Sequence, residues 1–147
     1  MPRVEEEITI GAPVETVFAF MDDPINIQLY PGIVDVRDMT GDGLGRHWRE
    51  SYRFGGVELL EESTVVEYDP GRREVLENRG GMESIWTEEF MPVETGTRVH
   101  FAVDWRAPEK VRDEEVVYTL DEITRDSVHK YLHKVKYILE GTRSLHA

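Results

Sequence analysis

The stretch SVHKYLHKVKYILEG, residues 127–141, carries the clearest helical pattern in the chain. Its apolar residues recur at the three-, four- and seven-residue spacings that place side chains on one face of an α-helix. We therefore predict a terminal helix that ends at a Gly141 C-cap and begins somewhere between Pro108 and Ser127. The predicted apolar face consists of Val128, Tyr131, Leu132, Val135, Ile138 and Leu139.

The region from Ile33 to Trp105 is typical of a meandering antiparallel sheet. Turn signals recur there about every ten residues, and the segments between them are rich in β-branched and aromatic residues. The pattern predicts about six strands wrapped around the terminal helix. The turn signals are Gly41-Asp42-Gly43, Gly55-Gly56, Asp69-Pro70-Gly71, Gly80-Gly81 and Glu94-Thr95-Gly96.

The N-terminal residues predict one further strand and two short helices. Val4–Ile10 alternates between apolar and polar residues, as a half-buried strand does. Pro13 suits the first turn of a helix over Val14–Met21, and Pro24 ends that helix because the residue before proline is pushed out of the α region. A second short helix is predicted over Ile25–Tyr30.

Composition limits the range of functions. The 147 residues include 30 acidic and 17 basic ones, a net charge of −13. Binding to nucleic acid or to an anionic membrane is not expected, because either partner requires a basic face. The chain has no cysteine and so can form no disulfide, which fits a cytoplasmic location. We predict a single domain over residues 1–147, with no signal peptide and no membrane span.

The first hairpin has a register that its own residues test. A two-residue turn at Gly55-Gly56 collects apolar side chains on one face and complementary charges on the other, and a slip of one residue would scramble both. The same register turns two glutamates inward, opposite each other. The predicted pairs are Phe54 with Val57, Tyr52 with Leu59, Glu50 with Glu61, Trp48 with Ser63, Arg53 with Glu58 and Arg49 with Glu62.

The register of the second hairpin can be tested in the same way, by the faces that it creates. A four-residue loop at Val93–Gly96 gives one apolar face and turns one more glutamate, Glu88, inward. On the outer face, Glu89 meets His100. The inner-face pairs are Phe90 with Val99 and Trp86 with Val103, joined by Phe101 and Trp105.

This order of elements resembles the helix-grip fold of the START-like (SRPBCC) superfamily, which includes polyketide cyclase/dehydrase-type proteins, coenzyme Q-binding proteins and the birch-pollen allergen group. The resemblance implies an α+β fold in which a curved antiparallel sheet of about seven strands grips a long C-terminal helix. It also implies an apolar ligand held between sheet and helix. The residues that carry it are Ile10 to Phe18, Asp23-Pro24, Tyr30 to Ile33, Tyr68 to Pro70, Gly96 to Val99 and the closing helix.

The inward glutamates are the most informative chemical signal. Burying facing carboxylates in a dry core is strongly unfavourable. The space around them is therefore polar or wet, one carboxyl has a raised pKa, a bulge redirects a side chain, or the glutamates lie in water at an open edge of the sheet. A polar space suits a ligand-binding cleft, and a raised pKa suits general acid/base work by Glu50, Glu61 or Glu88.

The remaining signals favour structural interpretations. His129 and His133 have a spacing that can chelate a metal, but they lie beside the charged face of the helix, so solvated surface histidines are expected and no metal site is predicted. Gly41–Gly45 lacks the lysine and the helix of a phosphate-binding loop, which favours a turn. No catalytic serine or cysteine motif is present, and no cofactor is predicted.

The first functional hypothesis is binding of a small, mostly apolar ligand between the sheet and the terminal helix, with the oligomeric state (monomer or homodimer) left open. A cyclase/dehydratase-type enzyme with a carboxylate as acid or base is the alternative. A third is a protein-interaction module whose cavity is vestigial. The predicted ligand-binding residues are Tyr30, Trp48, Glu50, Tyr52, Leu59, Glu61, Trp86, Glu88, Phe90, Phe101, Val103, Trp105, Tyr131 and Val135.

Overall fold

The computed structural model describes residues 2–54, 57–108 and 114–145, and it has the predicted helix-grip architecture. Seven antiparallel strands form one curved sheet, two short helices follow the first strand, and a long helix closes the chain. The elements are β1 (Arg3–Ile10), α1 (Val14–Asp22), a 3₁₀ helix (Pro24–Leu29), β2 (Ile33–Thr40), β3 (His47–Phe54), β4 (Val57–Asp69), β5 (Arg73–Arg79), β6 (Glu83–Val93), β7 (Gly96–Arg106) and α2 (Glu114–Leu145).

The strands lie in the order β1-β7-β6-β5-β4-β3-β2. Strands β2 to β7 therefore follow one another as a meander, and only β1 crosses the structure to pair with β7. The predicted registers of both hairpins are confirmed, including the facing pair Glu50 and Glu61. The Gly55-Gly56 turn lies outside the described residues. In the second hairpin the pairing continues to Val93 and Gly96, which leaves two loop residues rather than four.

Helix α2 begins within the predicted range, between Pro108 and Ser127, but it extends beyond its predicted C-terminal end. It is already helical at Glu114 and it runs through Gly141 to Leu145, so the predicted C-cap at Gly141 is wrong. Gly141 does not adopt the positive φ of such a cap, and a glycine inside a helix costs only about 1 kcal/mol. No helix in the described ranges combines the length and the apolarity that crossing a bilayer would require.

Helix α2 is held against the sheet by an apolar face and a polar seam. Val128, Leu132 and Val135 are fully buried, and burial of such side chains contributes roughly 1.5–3 kcal/mol each. Along the edge strand, Lys136 Nζ donates to the carbonyl of Thr9 at 2.6 Å. One helical turn further along α2, a Glu140 carboxylate oxygen accepts a hydrogen bond from the backbone N–H of Gly11, at 2.8 Å.

Candidate functional site

Four glutamates project from the sheet into the interior, and they face one another in two pairs. Glu50 and Glu61 are opposite each other on β3 and β4, and Glu74 and Glu88 are opposite each other on β5 and β6. Their exposures are 2%, 7%, 2% and 2%. The prediction that Glu50, Glu61 and Glu88 turn inward is confirmed, and the alternative that they lie in water at an open edge is wrong.

The first pair is embedded in hydrogen-bond donors. Trp48 Nε1 donates to Glu50 Oε1 at 3.0 Å, and Ser63 Oγ lies 2.6 Å from the same oxygen. Ser63 Oγ also lies 2.5 Å from Asn78 Oδ1, while Asn78 Nδ2 donates to Ser84 Oγ at 3.1 Å. One hydroxyl donates to only one of its two oxygen neighbours, and a proton on Glu50 or an Asn78 amide turned the other way satisfies both contacts.

The pKa values of this pair are raised for a common reason. Burial raises the pKa of Glu50, and its hydrogen bonds to Ser63 and Trp48 only partly oppose that shift. Burial, together with the nearby charge of Glu50, raises the pKa of Glu61 to about 9, although a hydrogen bond from the backbone of Met82 acts in the opposite direction. Glu61 is therefore a neutral carboxylic acid near pH 7, able to donate a hydrogen bond.

The second pair is part of a chain of acidic groups that leads to the surface. Burial and the Glu88 carboxyl raise the pKa of Glu74, which also hydrogen-bonds Asp22. Burial and then Asp22 raise the pKa of Glu88. Arg46, itself only 8% exposed, donates to Asp22 Oδ1 at 3.2 Å and to Asp42 Oδ1 at 2.7 Å. One buried guanidinium thus supports the acidic groups of this end.

Several polar atoms near the second pair have no hydrogen-bond partner in the described part of the chain. They include one carboxyl oxygen of each glutamate of the pair and the hydroxyl of Tyr131. The Glu88 and Glu74 charges raise the pKa of that tyrosine further, after burial itself, which places all three groups close together. Buried polar atoms are nearly always hydrogen-bonded, so this end of the interior is suited to a water molecule or to a polar group of a ligand. The unpaired atoms of this end are Glu74 Oε2, Glu88 Oε2 and Tyr131 Oη, while Trp105 Nε1, on β7 opposite Ser84, is unpaired elsewhere in the described core.

A small cavity lies between the sheet and α2 beside the first pair. Its volume is about 20 Å³, about enough for one water molecule. Burial raises the pKa of both cavity tyrosines, Tyr52 to about 12 and Tyr30 well above its usual value, so both phenols are protonated at neutral pH. The lining residues are Tyr30, Ile33, Tyr52, Glu61, Met82, Ser84, Trp86, Val103 and Thr124.

The cavity is much smaller than the open space predicted between sheet and helix. Aromatic rings fill that space: the ring centroids of Tyr30 and Trp86 are 4.7 Å apart, and Phe101 lies 5.5 Å from both Trp86 and Tyr131. These offset and edge-on contacts are the packing that aromatic side chains prefer. The expectation of an open cavity walled by every inner-face aromatic is therefore wrong for this structure.

The structure separates the predicted ligand-binding residues into two groups. Tyr30, Tyr52, Glu61, Trp86 and Val103 line the small cavity. The side chain of Phe54, predicted on the same face, lies outside the described residues. The others pack into the core without lining that cavity, and all except the half-buried Leu59 are buried: Trp48, Glu50, Leu59, Glu88, Phe90, Phe101, Trp105, Tyr131 and Val135.

The sequence did not predict three functional candidates: Glu74, Asp22 and Arg46. Glu74 pairs with Glu88, but a register shift between Val65 and Glu67 interrupts the β4–β5 ladder that would have placed it. The extra residue, Val66, is on β4, so the register of the first hairpin cannot be carried past it to β5. The one signal for Glu74 in the sequence was the register of the second hairpin, if it is extended by one strand to β5. Arg46 follows a glycine-rich turn, and nothing local marks it as buried.

Two histidines outside this site, His47 and His100, have structural partners. His47 Nδ1 lies 3.0 Å from Thr64 Oγ1 on the outer face. His100 lies 3.5 Å from Glu89, as predicted, and 2.9 Å from Glu5 on the neighbouring strand. The turn at Gly41–Gly45 is confirmed as a turn, with positive φ angles at its three glycines.

The comparisons with known proteins agree with this architecture. Residues 1–135 match the family described as polyketide cyclase / dehydrase and lipid transport. The crystal structure of TTHA0849 from Thermus thermophilus superposes with a TM-score of 0.79 at 18% identity, over 96% of this chain and 99% of that one. No curated protein matches the sequence.

A second similar structure is the Zhui aromatase/cyclase from a Streptomyces species, with a TM-score of 0.74 at 15% identity, over 94% of this chain and 95% of that one. At these identities the structural likeness shows the fold alone. The family match covers residues 1–135, nearly the whole chain. The chain therefore belongs to the polyketide cyclase/dehydrase and lipid transport family.

Proposed function

We propose that the chain binds a small, mostly apolar molecule at the cavity between the sheet and α2. One observation carries the proposal: a buried acid, Glu61, and two buried phenols, Tyr30 and Tyr52, surround this cavity in an otherwise apolar interior. A core that served stability alone would gain from replacing such groups by hydrocarbon. The family's description, which includes lipid transport, supports the same function.

The ligand must displace side chains to enter. A volume of about 20 Å³ holds a water molecule but no organic ligand. Two of the lining residues lie in short connecting segments: Tyr30 directly follows the 3₁₀ helix, and Met82 follows two glycines of positive φ in the β5–β6 turn. Such short connecting segments move at lower cost than strands or long helices. We infer that binding displaces these two side chains and opens the site.

The polar groups specify the chemistry of the ligand. Glu61 and both phenols are protonated near pH 7 and therefore offer hydrogen-bond donors. Trp86 and Val103 offer apolar surface next to them. A matching ligand carries a carbonyl, quinone or phenol oxygen on a flat apolar body. An ionised fatty-acid headgroup fits less well, because Glu50 and Glu61 would repel it when either is charged.

A cyclase/dehydratase-type activity is the second candidate, and the raised pKa of Glu61 favours it. A carboxyl with a pKa of about 9 holds its proton at neutral pH and can donate it to a ligand carbonyl. The resulting carboxylate would take a proton back from an adjacent carbon or from water. Glu50, directly opposite, makes the charged state of Glu61 less favourable and so promotes its return to the acid.

The test of binding uses a matched pair of variants. Native mass spectrometry identifies any molecule that co-purifies, and thermal shift screens quinones, flat phenols and fatty acids against the wild type, Glu61→Gln and Glu62→Gln. Glu62 is the exposed neighbour of Glu61 on the outer face. We expect a stabilising quinone or phenol whose affinity falls at least tenfold, about 1.4 kcal/mol, in Glu61→Gln and is unchanged in Glu62→Gln.

The possible outcomes separate the hypotheses. Conversion of an enolisable aromatic precursor that Glu61→Gln abolishes would add the enzymatic activity to binding. Equal affinities in the wild type and both variants would exclude Glu61 from the site. No co-purified molecule and no hit would contradict the proposal and favour the third hypothesis, an interaction module with a filled interior. The small volume of the cavity fits that hypothesis too.

A further inference from the structure

A histidine pair on α2 meets a glutamate from β1 at the edge of the sheet. His129 Nδ1 lies 2.8 Å from Glu6 Oε1, and the ring centroids of His129 and His133 are 4.1 Å apart. One ligand atom from each of the three residues lies within 4.8 Å of the others. The histidine spacing alone predicts surface residues, and Glu6, 123 positions away from His129, is the third group that folding brings to them.

We propose that Glu6, His129 and His133 bind a divalent transition-metal ion. Two imidazoles and one carboxylate form a donor set that suits Zn²⁺, Co²⁺, Ni²⁺ or Cu²⁺ rather than Mg²⁺ or Ca²⁺. Ligand atoms of a tetrahedral zinc site lie about 3.3 Å apart, as follows from bond lengths near 2.0–2.1 Å. Small side-chain rotations therefore close the observed triangle around an ion.

The surroundings of Glu6 support this assignment. Its second carboxylate oxygen, Oε2, is buried and has no hydrogen-bond partner in the part of the chain that the structure describes. Two of the three lysines near the site on α2 are already paired, Lys130 with Asp126 and Lys136 with Glu140. A metal ion would satisfy the carboxylate in a way that these neighbours do not.

A bound ion would tie α2 to the edge strand. The ligands come from the first strand and the last helix, so the ion would extend the polar seam that Lys136 and Glu140 form with Thr9 and Gly11. Three protein ligands leave a fourth position for water or for an exogenous ligand. Because the ion binds the folded chain and finds no preformed site in the unfolded one, it should raise the melting temperature.

The test is a Co²⁺ titration of the full-length, tag-free protein after chelator treatment. Bound Co²⁺ is read from its visible absorption, and Zn²⁺ then displaces it in competition. We expect one ion per chain in the wild type and an affinity at least about tenfold weaker in Glu6→Gln and in His133→Ala. His100→Ala is the matched control, since His100 also contacts carboxylates but has no second histidine beside it.

A thermal-shift measurement gives an independent readout. Zn²⁺ should raise the melting temperature of the wild type and of His100→Ala by several degrees, and it should not do so for the double variant His129→Ala/His133→Ala. No absorption change in the wild type would overturn the proposal. So would an affinity that survives the double variant, and an unchanged affinity in Glu6→Gln would exclude the three-ligand site.

Discussion

The two inward glutamate pairs share one face of one sheet, yet their surroundings differ. Glu50 has donors within hydrogen-bond distance, and Glu61 receives a backbone N–H and borders the cavity. Glu74 and Glu88 each keep an unpaired oxygen, and the nearest cation, Arg46, is paired with Asp22 and Asp42 and favours the charged form of Glu74 only weakly. Hydrogen-bond donors, rather than burial alone, therefore decide how much each carboxyl costs the fold.

Of the variants that test this difference between the two pairs, removal of the Arg46 guanidinium should have the largest effect. Arg46→Met should lower the free energy of unfolding by about 3–5 kcal/mol, because Asp22, whose side chain is only 16% exposed, then stands beside Glu74 without a cation. Urea denaturation measures the change. Arg49→Met, at an exposed arginine 3.5 Å from Glu62, is the control and should cost less than about 1 kcal/mol. Equal losses in the two variants would contradict the special role of Arg46.

Stability should fall as the pH rises, and the sign follows from the raised pKa values. A carboxyl whose folded-state pKa exceeds its ordinary value of 4.5 keeps its full contribution below that pH and loses it as the pH rises through the folded value, about 9 for Glu61. We expect the free energy of unfolding to drop by several kcal/mol between roughly pH 5 and pH 9, since each pKa unit of the shift corresponds to about 1.4 kcal/mol.

Variants apportion this pH effect between the two pairs. Glu61→Gln and Glu74→Gln should each flatten the dependence of the unfolding free energy on pH, because glutamine does not titrate. Glu62→Gln, at an exposed position, should leave the slope unchanged. A slope that is the same in all three variants would show that these buried carboxyls do not control the pH dependence.

A smaller effect is expected at the hydroxyl that bridges Glu50 and Asn78. Ser63→Ala should destabilise the fold by about 1–3 kcal/mol, because both neighbours lose their shared partner while remaining buried. Ser51→Ala is the comparison, since within the described residues that buried hydroxyl accepts a hydrogen bond from Arg37 alone, at 3.2 Å. Thermal unfolding of the two variants side by side measures the difference, and a neutral Ser63→Ala would refute the bridging role.

The smallest effect is expected at the unpaired hydroxyl of the second pair. Tyr131→Phe should change the unfolding free energy by less than about 0.5 kcal/mol, because no hydrogen bond in the described structure is lost. Tyr30→Phe removes a hydrogen bond to Ser127 and should cost about 1 kcal/mol. If Tyr131→Phe proves the more costly of the two, its hydroxyl has a partner, such as an ordered water, at the Glu74–Glu88 end.

The sequence predicted elements and registers well wherever a pattern repeats locally. Alternation of apolar and charged residues across Gly55-Gly56 was enough to place Glu50 opposite Glu61, because a one-residue slip would expose every apolar side chain of the hairpin. The same logic stopped at β4, where the register shift between Val65 and Glu67 hides the position of Glu74. Bulges depend on the fit between neighbouring strands, which no local pattern records.

Local pattern therefore determined the order of the elements, the apolar face of α2 and three of the four inward glutamates, because each depends on side-chain periodicity along one segment or one hairpin. The helix-grip fold followed from the resemblance of that order to a known family. The tertiary structure alone decided that aromatic rings would reduce the space between sheet and helix to about 20 Å³. It also brought Arg46 to Asp22 and Glu6 to His129. These features depend on how distant segments pack in three dimensions, and periodicity carries no information about distances across the core.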